Sequence, residues 1–147
     1  MAQNLKTKAI ILRRTNYREA DRILTVLTPH NGQIAVIAKG VRREQSRLAG
    51  GIELFAECEL NLVRSSMNID GMWTLTGSRI VSFYDQIMTD YDRLQFGYEA
   101  IKKVADLSNV IDSPELYQII LSVIRLLNNQ TIDLRLIKAW FYLRVAR

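Results

Sequence analysis

The pattern of hydrophobic and polar positions divides the chain into a first part typical of strands and a second part with the period of helices. Segments 5–14, 23–28, 33–39, 54–63 and 72–83 are rich in β-branched and apolar residues and are bounded by turn-forming residues. The second and third segments are separated by a turn containing Asn31 and Gly32, which favours a tight hairpin. The pattern therefore predicts five strands, two of them joined as a hairpin.

The fourth predicted strand shows the clearest alternation, with apolar residues on one face and polar residues on the other. The apolar set is Leu54, Ala56, Cys58, Leu60 and Leu62, and the polar set is Glu57, Glu59 and Asn61. Since Cys58 shares the apolar face, we interpret it as a small core hydrophobe and not as a redox or nucleophilic residue.

From residue 84 onward, apolar residues recur at steps of three and four, which is the period of amphipathic helices. The three stripes are Tyr84, Ile87, Tyr91, Leu94, Tyr98, Ile101 and Ala105; then Leu116, Ile119, Ile120, Val123, Ile124 and Leu127; then Ile132, Leu136, Ala139, Trp140 and Leu143. The second helix is predicted to start with Ser113 as N-cap and Pro114 at the first helical position. We expect all three stripes to be buried, including the aromatic members of the first.

Five strands, a polar connector over residues 41–51 after the third, and then three helices are the order of an OB-fold barrel followed by a helical bundle. The predicted fold class is thus α+β, with an OB-fold domain over residues 1–82 and an α-helical domain over 83–147. An SH3-like barrel, or part of a sandwich, would also contain five short strands in this length.

Composition narrows the class of protein further. With 48% hydrophobic residues in 147 and a mean hydropathy of −0.02, the chain is not of the disordered type, and it contains no run of 18 apolar residues. A single cysteine, Cys58, and a single histidine, His30, exclude a disulfide framework and multi-cysteine or histidine zinc sites within these residues. We expect a cytoplasmic protein without a membrane span.

Charge is distributed unevenly along the chain. Residues 1–80 carry 12 basic and 7 acidic side chains, whereas residues 81–147 carry 8 of each, so the net charge of +5 lies in the first part. This asymmetry indicates a polyanion-binding module attached to a neutral domain, although a solubilising surface would give the same numbers.

The basic residues suggest where a nucleic acid would bind. Loops after strands one and four border the binding face of an OB barrel, and arginine contacts phosphate through a planar, bidentate fork. The candidate DNA-binding residues are Arg13, Arg14, Arg18, Arg22, Lys39, Arg42, Arg43, Arg47 and Arg64. The candidates for base stacking are Tyr17 and Trp73, whose alternative roles are a loop anchor and a core residue.

The sequence offers little for catalysis. His30 lies in a predicted hairpin turn, which is a poor place for an oriented general base. The carboxylate pair Asp90 and Asp92 is spaced so that the two side chains diverge on a helix, and neither glycine-rich phosphate-binding motif is present. We expect no enzymatic activity, no cofactor and no bound metal.

Several motifs of the first part together resemble one known family. These are KAIILRR at 8–14, YREADRI at 17–23, LTPHNG at 27–32, AKGVRR at 38–43 and SRLAG at 46–50. In this order and spacing, residues 7–63 resemble the amino-terminal domain of the bacterial recombination mediator RecO. Glu19 and Asp21 belong to the YREADRI motif. Because an anion there would repel phosphate, we interpret both as structural residues that hold the first loop to nearby arginines or backbone amides.

The resemblance implies an OB-fold domain that binds single- and double-stranded DNA, joined to a helical domain. It also implies a role in recombinational DNA repair at the bacterial nucleoid: strand annealing, recombinase loading with RecR, and binding of the single-strand-binding protein tail through the helical part. Many members continue into a four-cysteine zinc module, so the chain is expected to be a truncated or unusually short member. An exposed apolar patch is then expected around Trp140 and Phe141.

The leading hypothesis is a non-catalytic DNA-binding repair protein. One alternative is an OB-fold adaptor that docks an acidic partner, such as the tail of the single-strand-binding protein. Another is an RNA-binding OB protein, which would prefer RNA through contacts to the 2′-hydroxyl group.

Overall fold

A computed structural model describes residues 2–43, 54–65 and 71–146. Five strands form a closed barrel in the order β1-β2-β3-β5-β4. They are β1 (Ala2–Tyr17), β2 (Asp21–Thr28), β3 (Gly32–Ala38), β4 (Ala56–Ser65) and β5 (Trp73–Phe83). A short 3-10 helix (Asp85–Thr89) leads into α1 (Tyr91–Val110), α2 (Glu115–Asn128) and α3 (Leu134–Val145). The predicted α+β class, a five-stranded barrel followed by helices, is confirmed.

The long first strand and one parallel pair close the barrel. The first part of β1 pairs with β4 and its second part pairs with β2, with an irregularity in the register between Ile11 and Arg13. The β2–β3 hairpin was predicted correctly, and its turn is closed by the Thr28 hydroxyl, which accepts a hydrogen bond from the Asn31 amide at 2.9 Å. The parallel pairing of β3 with β5, at Val36 and Trp73, closes the barrel.

Two hydrophobic cores meet at the barrel wall. The first fills the barrel and includes Cys58, which is fully buried as predicted. The second lies between the barrel and the helices, where Ile10, Leu27 and Phe55 pack against side chains from α1, α2 and α3. Because the second core joins both parts of the chain, the expected domain boundary after residue 82 stays a prediction.

The polar face of β4 is not simply a solvent face. Glu57 is only 5% exposed because α2 covers it, and its Oε2 accepts a hydrogen bond from the Tyr117 hydroxyl at 2.6 Å. Burial, reinforced by this hydrogen bond, raises the pKa of Tyr117 well above its usual range. A buried polar pair therefore joins the barrel to α2.

The stripe predicted for α2 is confirmed in full, whereas the stripe predicted for α1 is partly wrong. Ile101 and Ala105 are buried, but Tyr91 is 73% exposed and Tyr98 is 46% exposed. The face of α1 that packs inward is set by Phe55 and by the other two helices. Its buried residues, which the periodicity missed, are Arg93, Phe96, Gly97, Ala100 and Val104.

The stripe predicted for α3 needs a similar correction. Phe141, expected at an exposed patch, is fully buried with its ring edge-on to Phe96 at 5.7 Å between centroids. Trp140 is partly buried, with the Arg144 guanidinium 5.4 Å from the centre of its ring. None of the five stripe positions predicted for this helix is fully buried, and Leu136 and Leu143 are 67% and 71% exposed. The buried residues of α3 are instead Ile137 and Phe141.

Two helix starts and one buried cation complete the helical part. α2 begins at Glu115 with Pro114 as its N-cap, one residue later than predicted, and α1 is capped by Asp90, which accepts a hydrogen bond from the Arg93 amide. The buried Arg93 side chain donates to the carbonyl oxygens of Leu127, Asn129 and Ile132, and so holds the end of α2 and the turn after it. None of the described helices is both long enough and apolar enough to cross a membrane.

Candidate nucleic-acid interface

Two turns, distant in sequence, are joined at one end of the barrel. The first is the β1–β2 turn at residues 18–20, and the second follows β3 at residues 39–43. The Arg42 amide donates to the Ala20 carbonyl at 2.9 Å, and the Gly40 amide donates to Oδ1 of Asp21 at 2.7 Å. Gly40 has a φ of +68°, which a residue without Cβ adopts without strain. The two turns therefore form one surface.

Arg42 contributes to this surface mainly by holding it together. Its Nη2 donates to the Arg18 carbonyl at 2.6 Å, and its side chain is partly buried between the turns. Its Nε is buried without a hydrogen-bond partner in the part of the chain that the structure describes. The side chains of Arg18, Lys39 and Arg43 remain exposed. We call Arg18, Lys39, Arg42 and Arg43 the basic rim.

Two further arginines lie on the strands that lead to the basic rim. Arg22 pairs in register with Ala38, directly before Lys39, and its Nε donates to Oδ1 of Asn16 at 3.3 Å. Arg14 is exposed and pairs in register with Leu24, two residues along β2 from Arg22. Both cations therefore extend the positive surface from the basic rim along β1 and β2.

Arg64 lies further around the barrel. Its guanidinium carbon sits 4.2 Å from the centre of the Trp73 ring, and its Nη2 donates to Oε1 of Gln3 at 2.7 Å. In register, Arg14 pairs with Leu24, Leu24 with Val36, and Val36 with Trp73. Three strand spacings separate Arg14 from Trp73, which is roughly 14 Å. Arg64, which covers the Trp73 ring, is thus at a similar position along the barrel axis to Arg14, but it lies about three strands further around the barrel.

The two aromatic candidates differ in their surroundings. Trp73 is 8% exposed and belongs to the barrel core, and the Arg64 guanidinium covers its ring. A base would reach Trp73 only after Arg64 moved. Tyr17 is partly buried at the end of β1, with the Arg18 guanidinium 5.0 Å from the centre of its ring.

The remaining candidates lie elsewhere. Arg13 lines a polar cleft of about 260 Å³ between the barrel and α1, together with Gln33, Asp106 and Asn109, so it faces the helix and not the basic rim. Arg47 lies outside the described residues, as do most of the predicted connector and the loop after β4. Of the nine basic candidates, the structure therefore groups four in the basic rim, with two more beside it.

Most of the charged groups on this surface are cations. The four cations of the basic rim are accompanied by two carboxylates, Glu19 and Asp21, and Asp21 is engaged by the Gly40 amide. The guanidinium and ammonium groups that remain exposed can donate to phosphate oxygens. Within the described ranges, no group of three or more His, Cys, Asp or Glu side chains is placed to hold a metal ion.

Sequence reasoning identified the basic residues but missed the contacts that organise them. The hydrogen bond between Asp21 and Gly40 spans 19 residues, and no local pattern indicates it. Glu19 and Asp21 were expected to hold the first loop to arginines or backbone amides, and the Gly40 amide is such a partner for Asp21. The signal for this contact was the pairing of an acidic residue in one basic motif with a glycine in the next.

A closed five-stranded barrel followed by helices that pack on its outer wall defines an OB-fold protein. Residues 1–84 match the family described as Recombination protein O N terminal, and the chain belongs to this family. The resemblance seen in the sequence motifs is thus confirmed.

Curated relatives support the same assignment. The chain is 36% identical over 129 residues to the DNA repair protein RecO of Dehalococcoides mccartyi, an alignment covering 87% of this chain and 49% of the relative. It is 37% identical over 134 residues to the protein of that name from Roseiflexus sp., covering 89% and 45%. For Geobacter sulfurreducens the identity is 30% over 119 residues, covering 80% and 47%. The chain spans about half the length of these curated relatives.

Proposed function

We propose that this chain is a non-catalytic DNA-binding protein of recombinational DNA repair, which binds single- and double-stranded DNA through the basic rim. In this role it promotes strand annealing and, with RecR and the tail of the single-strand-binding protein as partners, helps to load recombinase in the bacterial cytoplasm at the nucleoid. Membership in the family and the names of its relatives as DNA repair proteins support this role.

One observation carries the DNA-binding part of the proposal. The basic rim brings cations from two distant segments onto one surface, and hydrogen bonds through Asp21 and Arg42 hold its backbone in place. A preorganised surface loses less conformational entropy when it binds, so its phosphate contacts contribute more of their energy to affinity. Contacts to phosphate carry no sequence information, and we therefore expect binding with little sequence preference.

Salt dependence gives this proposal a quantitative form. If about five cations contact a single strand, for example Arg14, Arg18, Arg22, Lys39 and Arg43, log K falls against log salt with a slope near −3.5. Removing two of these contacts reduces the slope to about −2. Affinity then falls most strongly at low salt, where the electrostatic contribution is largest.

The test is fluorescence anisotropy of a labelled single-stranded oligonucleotide at several salt concentrations. We compare the wild-type chain with Lys39→Glu/Arg43→Glu, because both side chains are exposed, and leave Arg42 unchanged because it holds the two turns together. The matched control is Lys8→Glu/Lys103→Glu, which changes the net charge equally on exposed positions of β1 and α1. Circular dichroism and thermal unfolding verify that all variants are folded.

The proposal predicts weak binding and a reduced salt slope only for the rim variant. Equal loss in both variants would show that net charge, and not the basic rim, governs binding. Failure of the wild-type chain to bind DNA at low salt would overturn the DNA-binding role and favour the adaptor. Tighter binding to an RNA of the same sequence would favour the RNA-binding alternative.

A further inference from the structure

One face of α1 carries two exposed tyrosine rings. Tyr91 and Tyr98 are 73% and 46% exposed, and they are seven residues apart, so they lie on one face about 10 Å apart along the helix axis. The Tyr91 side chain makes no hydrogen bond or ring contact with the described part of the chain. Tyr98 packs one side on Phe55, at 5.3 Å between ring centroids.

The same face continues toward the barrel. Gln95, Lys102 and Asn109 follow the helical period that relates Tyr91 to Tyr98, and all three are exposed. Asn109 lines the polar cleft that also contains Arg13 of β1. From Tyr91 to Asn109 this surface is about 27 Å long. We call Tyr91, Gln95, Tyr98, Lys102 and Asn109 the α1 stripe.

The composition of the α1 stripe fits nucleic-acid bases better than a protein partner. Its aromatic rings alternate with amide and ammonium groups, whereas the centre of a protein-docking surface is usually a contiguous apolar patch. Stacking on an exposed ring uses the face that every base has, and the amides and Lys102 can donate to bases and phosphates. Three carboxylates, Asp92, Glu99 and Asp106, border the stripe, against one cation within it, Lys102. The stripe therefore has no net electrostatic attraction for phosphate, and stacking would supply its contribution to affinity.

We propose that the α1 stripe is a second contact surface for single-stranded DNA, on which unpaired bases stack against Tyr91 and Tyr98. The strand would pass from the barrel to the helix at the cleft between Arg13 and Asn109. This inference rests on the proposed DNA-binding function. In duplex DNA the bases are already stacked on one another, so the α1 stripe would favour single strands.

The test uses Tyr91→Ala, because Tyr91 lies at the first position of α1, is mostly exposed, and alanine is a better helix former than tyrosine. Affinity for a single-stranded oligonucleotide should fall roughly 5- to 150-fold, the range for loss of one stacked base. The slope against log salt should stay unchanged, since no phosphate contact is lost, and duplex binding should also be unchanged.

Three further variants test which groups on the helices contact DNA. Tyr91→Phe should bind within about twofold of wild type because the ring remains. Lys102→Gln should reduce the single-strand salt slope by about 0.7, the value for one phosphate contact. Leu143→Ala, which removes an equally exposed apolar side chain from α3, should have no effect.

The outcomes separate this inference from the proposed function. If the wild-type chain binds single strands and Tyr91→Ala binds equally well, the α1 stripe is not a DNA surface, although the basic rim can still be one. Equal losses for single-stranded and duplex DNA would also overturn base stacking. Photo-crosslinking of an iodouracil-containing oligonucleotide should label Tyr91 or Tyr98, and labelling confined to the barrel would contradict the inference.

Discussion

Gly97 lies in the middle of α1, where its backbone faces the buried ring of Phe55. A Cβ atom at this position would lie 2.7 Å from Cε1 and 3.0 Å from Cζ of that ring. Carbon atoms in contact prefer about 3.5–4.0 Å, so the ring or the helix would have to move by close to 1 Å. Phe55 is fully buried and is bounded by Tyr98, which limits how far the ring can shift.

Two opposing effects set the result of Gly97→Ala. Alanine in a helix interior is favoured over glycine by about 1 kcal/mol, whereas overpacking a rigid core costs about 1–3 kcal/mol. Because the clash involves two atoms of a fixed ring, we expect the overpacking cost to exceed the gain. The free energy of unfolding should fall by about 1 kcal/mol, and Tm by about 3 °C, in urea and thermal denaturation.

The control is the same substitution in a Phe55→Leu background. Leucine removes the ring edge but keeps a Cβ at a position with a φ of 57°, so the backbone strain there is unchanged. Gly97→Ala should then become neutral or stabilising by up to about 1 kcal/mol. A stabilising effect in the wild-type background, or the same effect in both backgrounds, would refute the packing argument.

Two other predictions concern the junctions within the fold. Tyr117→Phe should lower the free energy of unfolding by about 2 kcal/mol at pH 7, because it removes a hydrogen bond to the buried Glu57 carboxylate. The pKa of Tyr117 is raised in the folded chain, so the free energy of unfolding of the wild type should fall above about pH 10, where the tyrosine of the unfolded chain ionises. Urea titrations at pH 7 and 11 should therefore show a smaller difference in the free energy of unfolding between wild type and variant at pH 11. Asp21→Ala should weaken DNA binding roughly 2- to 5-fold, although it removes a negative charge, because it frees the Gly40 amide and loosens the basic rim. Asp21→Asn keeps a hydrogen-bond acceptor for that amide and should bind DNA at least as well as wild type. Anisotropy titrations check this order, and equal effects of the two substitutions would contradict it.

Local patterns were sufficient for most of the secondary structure. The alternation in β4 correctly predicted that Cys58 is buried, and Asn31 and Gly32 correctly predicted the hairpin turn. The stripe predicted for α2 was correct at all six positions. These features depend on residues close in sequence, or on a helix that is apolar over one wide face. In such segments only one orientation buries the apolar side chains, so the sequence pattern alone is decisive.

The orientation of α1 and α3 did not follow from periodicity. Both helices have apolar or aromatic residues on more than one face, and tyrosine is stable either buried or exposed because its ring is apolar and its hydroxyl polar. Phe55, brought over Gly97 by the barrel, selects the face of α1 that packs inward. Phe55 is more than 40 residues away from Gly97 in the sequence, so no short stretch of sequence contains both residues.

The sequence by itself thus determined the five strands, the three helices, the family and the set of basic residues. Only the tertiary structure decided which of these residues act together. It joined the two turns of the basic rim through Asp21, buried Glu57 under α2, and left Tyr91 and Tyr98 exposed on α1. The physical reason is that burial and hydrogen bonding depend on contacts between segments distant in the chain, whereas periodicity reports only the local conformation.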